Sequence, residues 1–265
     1  MNPVPTDLRS FSALMDIVAD LRGPNGCPWD KEQTHQSLTP FAIEEVYEFI
    51  ETIERSDDKA MKEELGDVLF QVALHAQLAR ERNAFSMEDV LQELNSKMIR
   101  RHPHVFGTEK VANSEEVLAN WELIKKKEKE NQSPKFQFDI PLELPALQRA
   151  FKIGKKTQKS GFDWTNVNDV KSKVLEELDE VDAAIASKNQ REVEEELGDL
   201  LFSVAQYVRH LGYEPETCLR LANRKFENRY FSMLELCQNK KMDFDALSLN
   251  EKEELWKTVK ELSKS

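Results

Sequence analysis

Two pairs of carboxylates, each pair three residues apart, are the groups in this chain best placed to do chemistry. Glu177 and Glu180 form one pair, and Glu196 and Asp199 form the next. A three-residue step puts both members of a pair on one face of a helix. Glu45, Glu48, Glu64 and Asp67 repeat the arrangement in the first half. Acidic residues on a helix are usually a solvated face, and near a helix start they also favour the macrodipole. The residues after each second pair speak against a merely solvated face. Val68 to Ala73 and Leu200 to Ala205 are apolar nearly all round, a pattern that predicts a buried helix. Carboxylates at the mouth of a buried helix are costly unless something pairs with them. Four that converge also raise one another's pKa. A divalent cation removes that penalty, and an all-oxygen ligand set suits Mg²⁺, with Mn²⁺ as a substitute. Di-iron bundles use Glu-x-x-His pairs; the last position here is Asp, which disfavours redox iron.

A cation held by side chains on two helices keeps positions for water and phosphate oxygens. The pattern therefore points to metal-assisted phosphoryl or nucleotidyl chemistry. No GxxxxGK[ST] loop is present, which argues against a Walker-type ATPase. Lys225 and Arg229 lie four apart on one helix face, where they can hold phosphate oxygens or form an ordinary surface charge pair. Trp164, within Gly161-Phe162-Asp163-Trp164, and Trp256 can each pack against a base or fill a core. His102 and His104 flank Pro103 with no cysteine near, so zinc is not supported. His35, His75 and His210 show no partner pattern, and nothing supports a Cys/His nucleophile.

The elements that must position these groups are helical. Ile43, Val46, Tyr47, Ile50 and Ile53 recur at helical spacing and make one apolar stripe. Thr39-Pro40 reads as an N-cap followed by a first-turn proline. Met61 to Arg80 and Val193 to Leu211 are a second helix type, the latter stopped by Gly212. Further helices are predicted near Ser86, Asn113, Pro215 and Ser248, where Ser248 and Glu251 have capping-box spacing. Only 8 of the 265 residues are glycine and 32% are charged, a composition of helix formers. No convincing strand is present. The expectation is an all-α protein with four or five helices in each half.

The halves are copies. Residues 44–73 and 176–205 align at an offset of 132 without a gap, with thirteen of thirty positions identical. Glu-Glu-Leu-Gly-Asp stands in register in both. A period this long means two domains and not a solenoid. Lys125 to Pro145 is a charged helix end running into prolines 134, 141 and 145, which reads as a linker. The expected organisation is 1–130, a linker at 131–145, and 146–265.

The formal charge is 37 − 49 = −12. Such a chain repels nucleic-acid polymers and anionic membranes, yet binds nucleotides when cations bridge the two. No apolar run approaches the ~18 residues of a membrane span. The residues from Met1 to Phe11 lack signal-peptide character. Cys27, Cys218 and Cys237 are widely spaced, as expected of reduced thiols in a cytoplasm.

The motifs taken together resemble the MazG family of nucleoside triphosphate pyrophosphohydrolases in its two-domain form. In the first half they are Gly26-Cys27-Pro28-Trp29-Asp30, Gln33-Thr34-His35, Glu44-Glu45-x-x-Glu48, Glu63-Glu64-Leu65-Gly66-Asp67, the run from Arg101 to Gly107, and Trp121-Glu122-x-Ile124-Lys125. In the second they are Gly161-Phe162-Asp163-Trp164, Glu176-Glu177-x-x-Glu180, Glu195-Glu196-Leu197-Gly198-Asp199 and Asn223-x-Lys225-Phe226-x-x-Arg229. The acidic motif is shared across a superfamily; the Cys-Pro-Trp-Asp and His-Pro-His stretches are specific to this family. The resemblance implies a dimeric, Mg²⁺-dependent enzyme that cleaves NTPs and dNTPs between the α and β phosphates. It implies Glu177, Glu180, Glu196 and Asp199 as metal ligands. Lys225 and Arg229 would hold the triphosphate, with Asn223 and Trp256 lining the nucleotide pocket. It implies the second domain as the active copy, with Glu45, Glu48, Glu64 and Asp67 as a second site. Family members often carry two adjacent arginines where Asn228 and Arg229 stand here. The expected mechanism is metal-assisted in-line attack by water, positioned by Glu176 or by a ligand carboxylate. The alternatives are a narrower pyrophosphatase for dUTP, dCTP or phosphoribosyl-ATP, and a non-catalytic helical interaction module.

Overall fold

A computed structural model describes residues 4–129 and 138–262. It divides into two compact units, Met1–Gln132 and Ser133–Ser265. Among the described residues every regular element is a helix. Unit one contains α1 (Phe11–Arg22), α2 (Pro28–Glu32), α3 (Thr39–Arg55), α4 (Asp58–Glu81), α5 (Met87–Arg101), α6 (Pro103–Phe106) and α7 (Ser114–Lys129). Unit two contains α8 (Ala146–Lys159), α9 (Val167–Ser187), α10 (Gln190–His210), α11 (Pro215–Asn239) and α12 (Leu249–Leu262). The all-α, tandem-duplicated expectation is met, but among the described residues unit one has seven helices where four or five were expected, and unit two has five. Of the expected linker, residues 131–137 lie outside the described residues, and 138–145 form no helix.

The repeat in sequence is also a repeat in backbone. α3 ends at Ser56 and α9 at Lys188, both left-handed, with φ of 55° and 58°. The next residue starts the following helix in each case. The Asp57 carboxylate accepts from the amides of Lys59 and Ala60, both at 3.1 Å. The Asn189 side chain accepts from the Glu192 amide at 3.5 Å. These caps satisfy amides that have no partner inside the helix. The outcome is a tight antiparallel hairpin in each unit, α3 on α4 and α9 on α10. The predicted capping box at Ser248 is present: its amide donates to Glu251 Oε2 at 2.8 Å, and the Glu251 amide returns a bond to Ser248 Oγ at 3.4 Å. Ser86 and Asp89 form a second box.

Two local readings need correction. Thr39 is not the cap of α3; Leu38 holds that position and Thr39 is already helical, its hydroxyl donating to the His35 carbonyl at 3.1 Å. The segments after the carboxylates are not buried all round. Ala73 and Leu74 are buried, as are Ser203, Ala205 and Gln206, but Leu69, Val72, Leu201 and Val204 are exposed. The stripe on α3 is likewise open, with Ile43, Val46, Tyr47 and Ile53 all exposed. α3 and α9 each cover only one side of the partner helix, and an apolar pattern does not say which chain covers the other side.

The core of unit one gathers Val18, Leu38, Ala73, Leu74 and Met87, with Phe70 packed against it. In unit two, Met233, Cys237, Leu255 and Val259 join α11 to α12. The three cysteines are free. Among the described residues no helix is long and apolar enough to cross a membrane.

Candidate metal and nucleotide site

Each hairpin brings its carboxylates together. Oxygens of Glu177, Glu180 and Glu196 lie within 4.8 Å of one another, and so do those of Glu45, Glu48 and Glu64. Glu177 is buried, Glu196 and Glu45 are half-buried, and Glu180 is exposed. Asp199 and Asp67 stand at the edge of these clusters, outside the 4.8 Å sets, but their charge is felt inside them. Desolvation raises the pKa of Glu196, and the charges of Glu180, Asp199 and Glu177 raise it further. Glu45 is raised by desolvation, then by Asp67, Glu48 and Glu64. Glu64 is raised by desolvation, then by Glu48 and Asp67. Oxygen-only donors, converging and electrostatically strained, are what a hard divalent cation relieves. The residues present therefore fit a hard divalent cation.

The clusters differ in their surroundings. In unit two Lys173, one turn before Glu177 on α9, reaches Glu176 at 2.8 Å, Glu177 at 2.9 Å and Glu180 at 3.8 Å. Hydrogen bonds to Glu176 and Glu177 raise the lysine above its ordinary range. Glu176 thus stands beside the cluster, engaged by this lysine. In unit one the position in register is Phe41, which packs edge-on against Trp29 at 5.7 Å. The i,i+4 spacing of Lys173 and Glu177 was a legible signal for this contact.

The other expected site residues sit on α11 and α12. Asn223 and Lys225 are exposed. The Arg229 guanidinium lies over the Trp256 ring at 5.9 Å, with its Nε buried and without a hydrogen-bond partner. Phe226 packs 5.0 Å from the same tryptophan. α11 packs on α12, α8 and α10, and α9 packs on α10. Among the described residues no hydrogen bond or ion pair joins Asn223, Lys225, Arg229 or Trp256 to the tetrad.

Sequence reasoning missed two histidine contacts and a buried network. His35 and His75 share a hydrogen bond, Nδ1 to Nδ1 at 2.8 Å, with rings stacked at 5.1 Å. Burial and then the His35 charge lower the His75 pKa. His210 Nε2 lies 3.0 Å from Asp163, which also accepts two bonds from Arg209 at 3.0 and 2.6 Å. Burial works to raise Asp163, but the bonds and charges of Arg209 and His210 outweigh it and bring the carboxyl down to about 2. Partners 46 and 47 residues apart leave no periodic trace in a sequence. His102 Nδ1 donates to the Met98 carbonyl, 2.6 Å away, and the ring packs edge-on against Trp121.

Each unit thus carries a helical hairpin with an acidic cluster. The family model described as "MazG nucleotide pyrophosphohydrolase domain" matches twice, at residues 33–106 and 166–232. This chain belongs to that family. It is 43% identical over 257 residues to the nucleoside triphosphate pyrophosphohydrolase of Escherichia coli K12, covering 96% of this chain and 98% of that protein. It is 45% identical over 250 residues to the nucleoside triphosphate pyrophosphohydrolase/pyrophosphatase MazG of Thermotoga maritima, covering 94% and 95%.

Proposed function

We propose that this protein is a Mg²⁺-dependent nucleoside triphosphate pyrophosphohydrolase that cleaves NTPs and dNTPs between the α and β phosphates, giving NMP and pyrophosphate. The observation that carries this reading is the convergence of Glu177, Glu180 and Glu196, with Asp199 at their edge, on one hairpin. These four would hold the cation, with Mn²⁺ as a substitute. Bound there, it polarises phosphate oxygens and lowers the pKa of water. Lys225 and Arg229 hold the triphosphate, and Asn223 and Trp256 line the nucleotide pocket. Glu176 or a ligand carboxylate orients the attacking water and takes its proton. The water oxygen bonds to phosphorus as the α–β linkage breaks, and the bridging oxygen leaves with one product. The catalytic copy is residues 146–265, joined by the linker at 131–145 to residues 1–130, where Glu45, Glu48, Glu64 and Asp67 form a second site. The open apolar faces of α3, α4, α9 and α10 support a homodimer in which a second copy covers them. The protein acts in the cytoplasm on free nucleotides, not on nucleic-acid polymers or membranes.

The test is chromatography of products from each common NTP and dNTP with Mg²⁺. ATP is expected to give AMP and pyrophosphate. ADP and phosphate as first products overturn the reading, and no turnover makes the chain an interaction module. A preference for one nucleotide of ~10³-fold over all others makes it a narrower enzyme.

A further inference from the structure

The His35 and His75 rings of unit one meet Nδ1 to Nδ1 at 2.8 Å, with their planes 12° apart. His35 opens the turn 35–38 that leads into α3, and His75 lies within α4. Among the described residues this is the one hydrogen bond between that turn and α4. Upstream, the Arg22 guanidinium donates to the carbonyls of Asp30 and Gln33 and to the Glu81 carboxylate at the end of α4. The segment 30–38 is thus fastened to α4 at two points. An arginine stays charged throughout the working range, and Arg22 holds the Glu81 carboxyl below its ordinary value. A histidine changes charge between about pH 5 and 8. The two fastenings therefore differ in their response to acid.

Counting protons shows how. A bond between two Nδ1 atoms needs one proton between them. The neutral pair carries two protons, so one Nε2 is protonated and the other is bare. His35 Nε2 is buried and has no hydrogen-bond partner. A buried N–H without an acceptor is rarer in proteins than an unused lone pair. The second proton therefore belongs on His75 Nε2, and His35 Nδ1 donates to His75 Nδ1. A third proton has two places to go. On His35 Nε2 it makes a buried cation whose N–H meets no acceptor. On His75 Nδ1 it sets two N–H groups against each other and ends the bond. The surroundings do not relieve either state. His75 is bordered by Ala42 and Val46 of α3, by Phe85 from the turn after α4, and by Val90 of α5. α1 meets the α4 core through Leu14, Met15 and Val18. The charge that acts on His75 is that of His35, not a carboxylate of α1, α3 or α5. Along α4, Asp67 and Glu81 stand about 12 and 9 Å away by helical rise.

We propose that the His35–His75 pair is an acid-sensitive latch: neutral, it ties the turn 35–38 and the start of α3 to α4, and uptake of a proton releases that tie. Leu38, 1% exposed, and Arg22 still hold the segment when the latch opens, so the release is local and unit one stays folded. Thr39, whose hydroxyl donates to the His35 carbonyl, begins the helix that carries Glu45 and Glu48. The latch thereby gives the first acidic cluster a pH-dependent mounting, and it is independent of the hydrolysis proposed above. Folding lowers His75, so its contribution to stability is complete above the ordinary value of 6.5 and is lost as pH falls below it.

The full-length protein with isotope-labelled histidine is titrated by NMR from about pH 8 to about pH 5, with amide-exchange protection measured over the same range. His35→Phe and His75→Phe assign the two ring signals. His75 is expected to titrate below 6.5 in the wild type and higher in His35→Phe, where the partner's charge is gone. The Leu38 and Ala42 amides donate to the Thr34 and Leu38 carbonyls at 3.1 and 3.0 Å. Their protection should fall by about 5–10-fold at the acid end, the scale of one lost hydrogen bond. In His35→Phe it should not depend on pH. A His75 that titrates at 6.5 or above overturns the latch. An equal fall in protection in wild type and His35→Phe overturns it too. If circular dichroism shows that His35→Phe does not fold, the wild type decides alone: loss of protection at Leu38 must follow the titration of the two rings, and rings that titrate without it contradict the latch.

Discussion

The two hairpins hold the same acidic cluster in different settings. In unit two Lys173 leans onto the carboxylates; in unit one the same register position is Phe41. Arg229 rests on a tryptophan. Arg101, at a similar spacing in unit one, is bound to Glu128 at 2.7 Å, and with Arg100 it brings that carboxyl down to about 2. Phe202 and Gln206 of α10 border a cavity of about 410 Å³ in unit two; unit one places Phe70 and Leu74 in register with them, and both pack into its core. Unit one does have a cavity of about 340 Å³, but it opens on the Val68, Val72 and His75 face of α4 and is bordered by α3 and α5. The duplicated fold thus preserves the acidic geometry in both copies. The second copy also carries an aromatic-lined cavity beside α10.

The contrast between the units is broken most strongly at the buried network of unit two. Asp163→Ala removes the partner of Arg209, whose side chain is only 2% exposed, and should destabilise unit two by about 3–5 kcal/mol. Glu81→Ala in unit one breaks a bidentate bond to Arg22, but Glu81 is more open, at 37%, and should cost only about 1.5–3 kcal/mol. Urea unfolding of both variants ranks them. The pH dependence arises from the same group. The pKa of Asp163 is depressed on folding, so its contribution is complete above the ordinary carboxylate value near 3.8 and is lost as pH falls through about 2. Acid unfolding of Asp163→Ala should lack that part of the loss.

A smaller effect is expected at Lys173. Lys173→Met leaves the second cluster without its internal counter-ion and should cost about 1.5–3 kcal/mol in a metal-free buffer. Mg²⁺ should recover most of that loss, and the rise in melting temperature on adding Mg²⁺ should exceed that of the wild type. Equal rises would show that the lysine and the cation do not share these carboxylates. Smallest of all are the caps. Asp57→Ala should cost about 1 kcal/mol. Asn189→Ala, which breaks a single bond of 3.5 Å, should cost less, as read by thermal unfolding.

Much of the fold was legible in the residues. The duplication, the helices, the Ser248 box and the convergence of Glu177, Glu180 and Glu196 come from spacing, since a helix fixes which side chains share a face. Other features depend on what a face meets. The stripe at Ile43, Val46 and Tyr47 announces apolar surface, but not that a single chain leaves it open. The apolar turns after Asp67 and Asp199 suggested burial all round, and only one side is covered. The Asp163–Arg209 pair and the cavity above it join α8, a turn and α10, so no local pattern encodes them. The contact of Arg229 with Trp256 needed the packing of α11 on α12.

Whether the second hairpin carries the turnover is tested most directly by one pair of variants. Pyrophosphate release from ATP is measured side by side for Asp199→Asn and Asp67→Asn, with circular dichroism verifying that both are folded. Removing a ligand charge in the active copy should lower kcat by about 10²-fold or more, the scale seen when transition-state electrostatics are damaged. Asp199→Asn should show that loss and Asp67→Asn far less. Equal losses would mean that both copies act or are coupled, and a larger loss from Asp67→Asn would move the active site to Glu45, Glu48, Glu64 and Asp67.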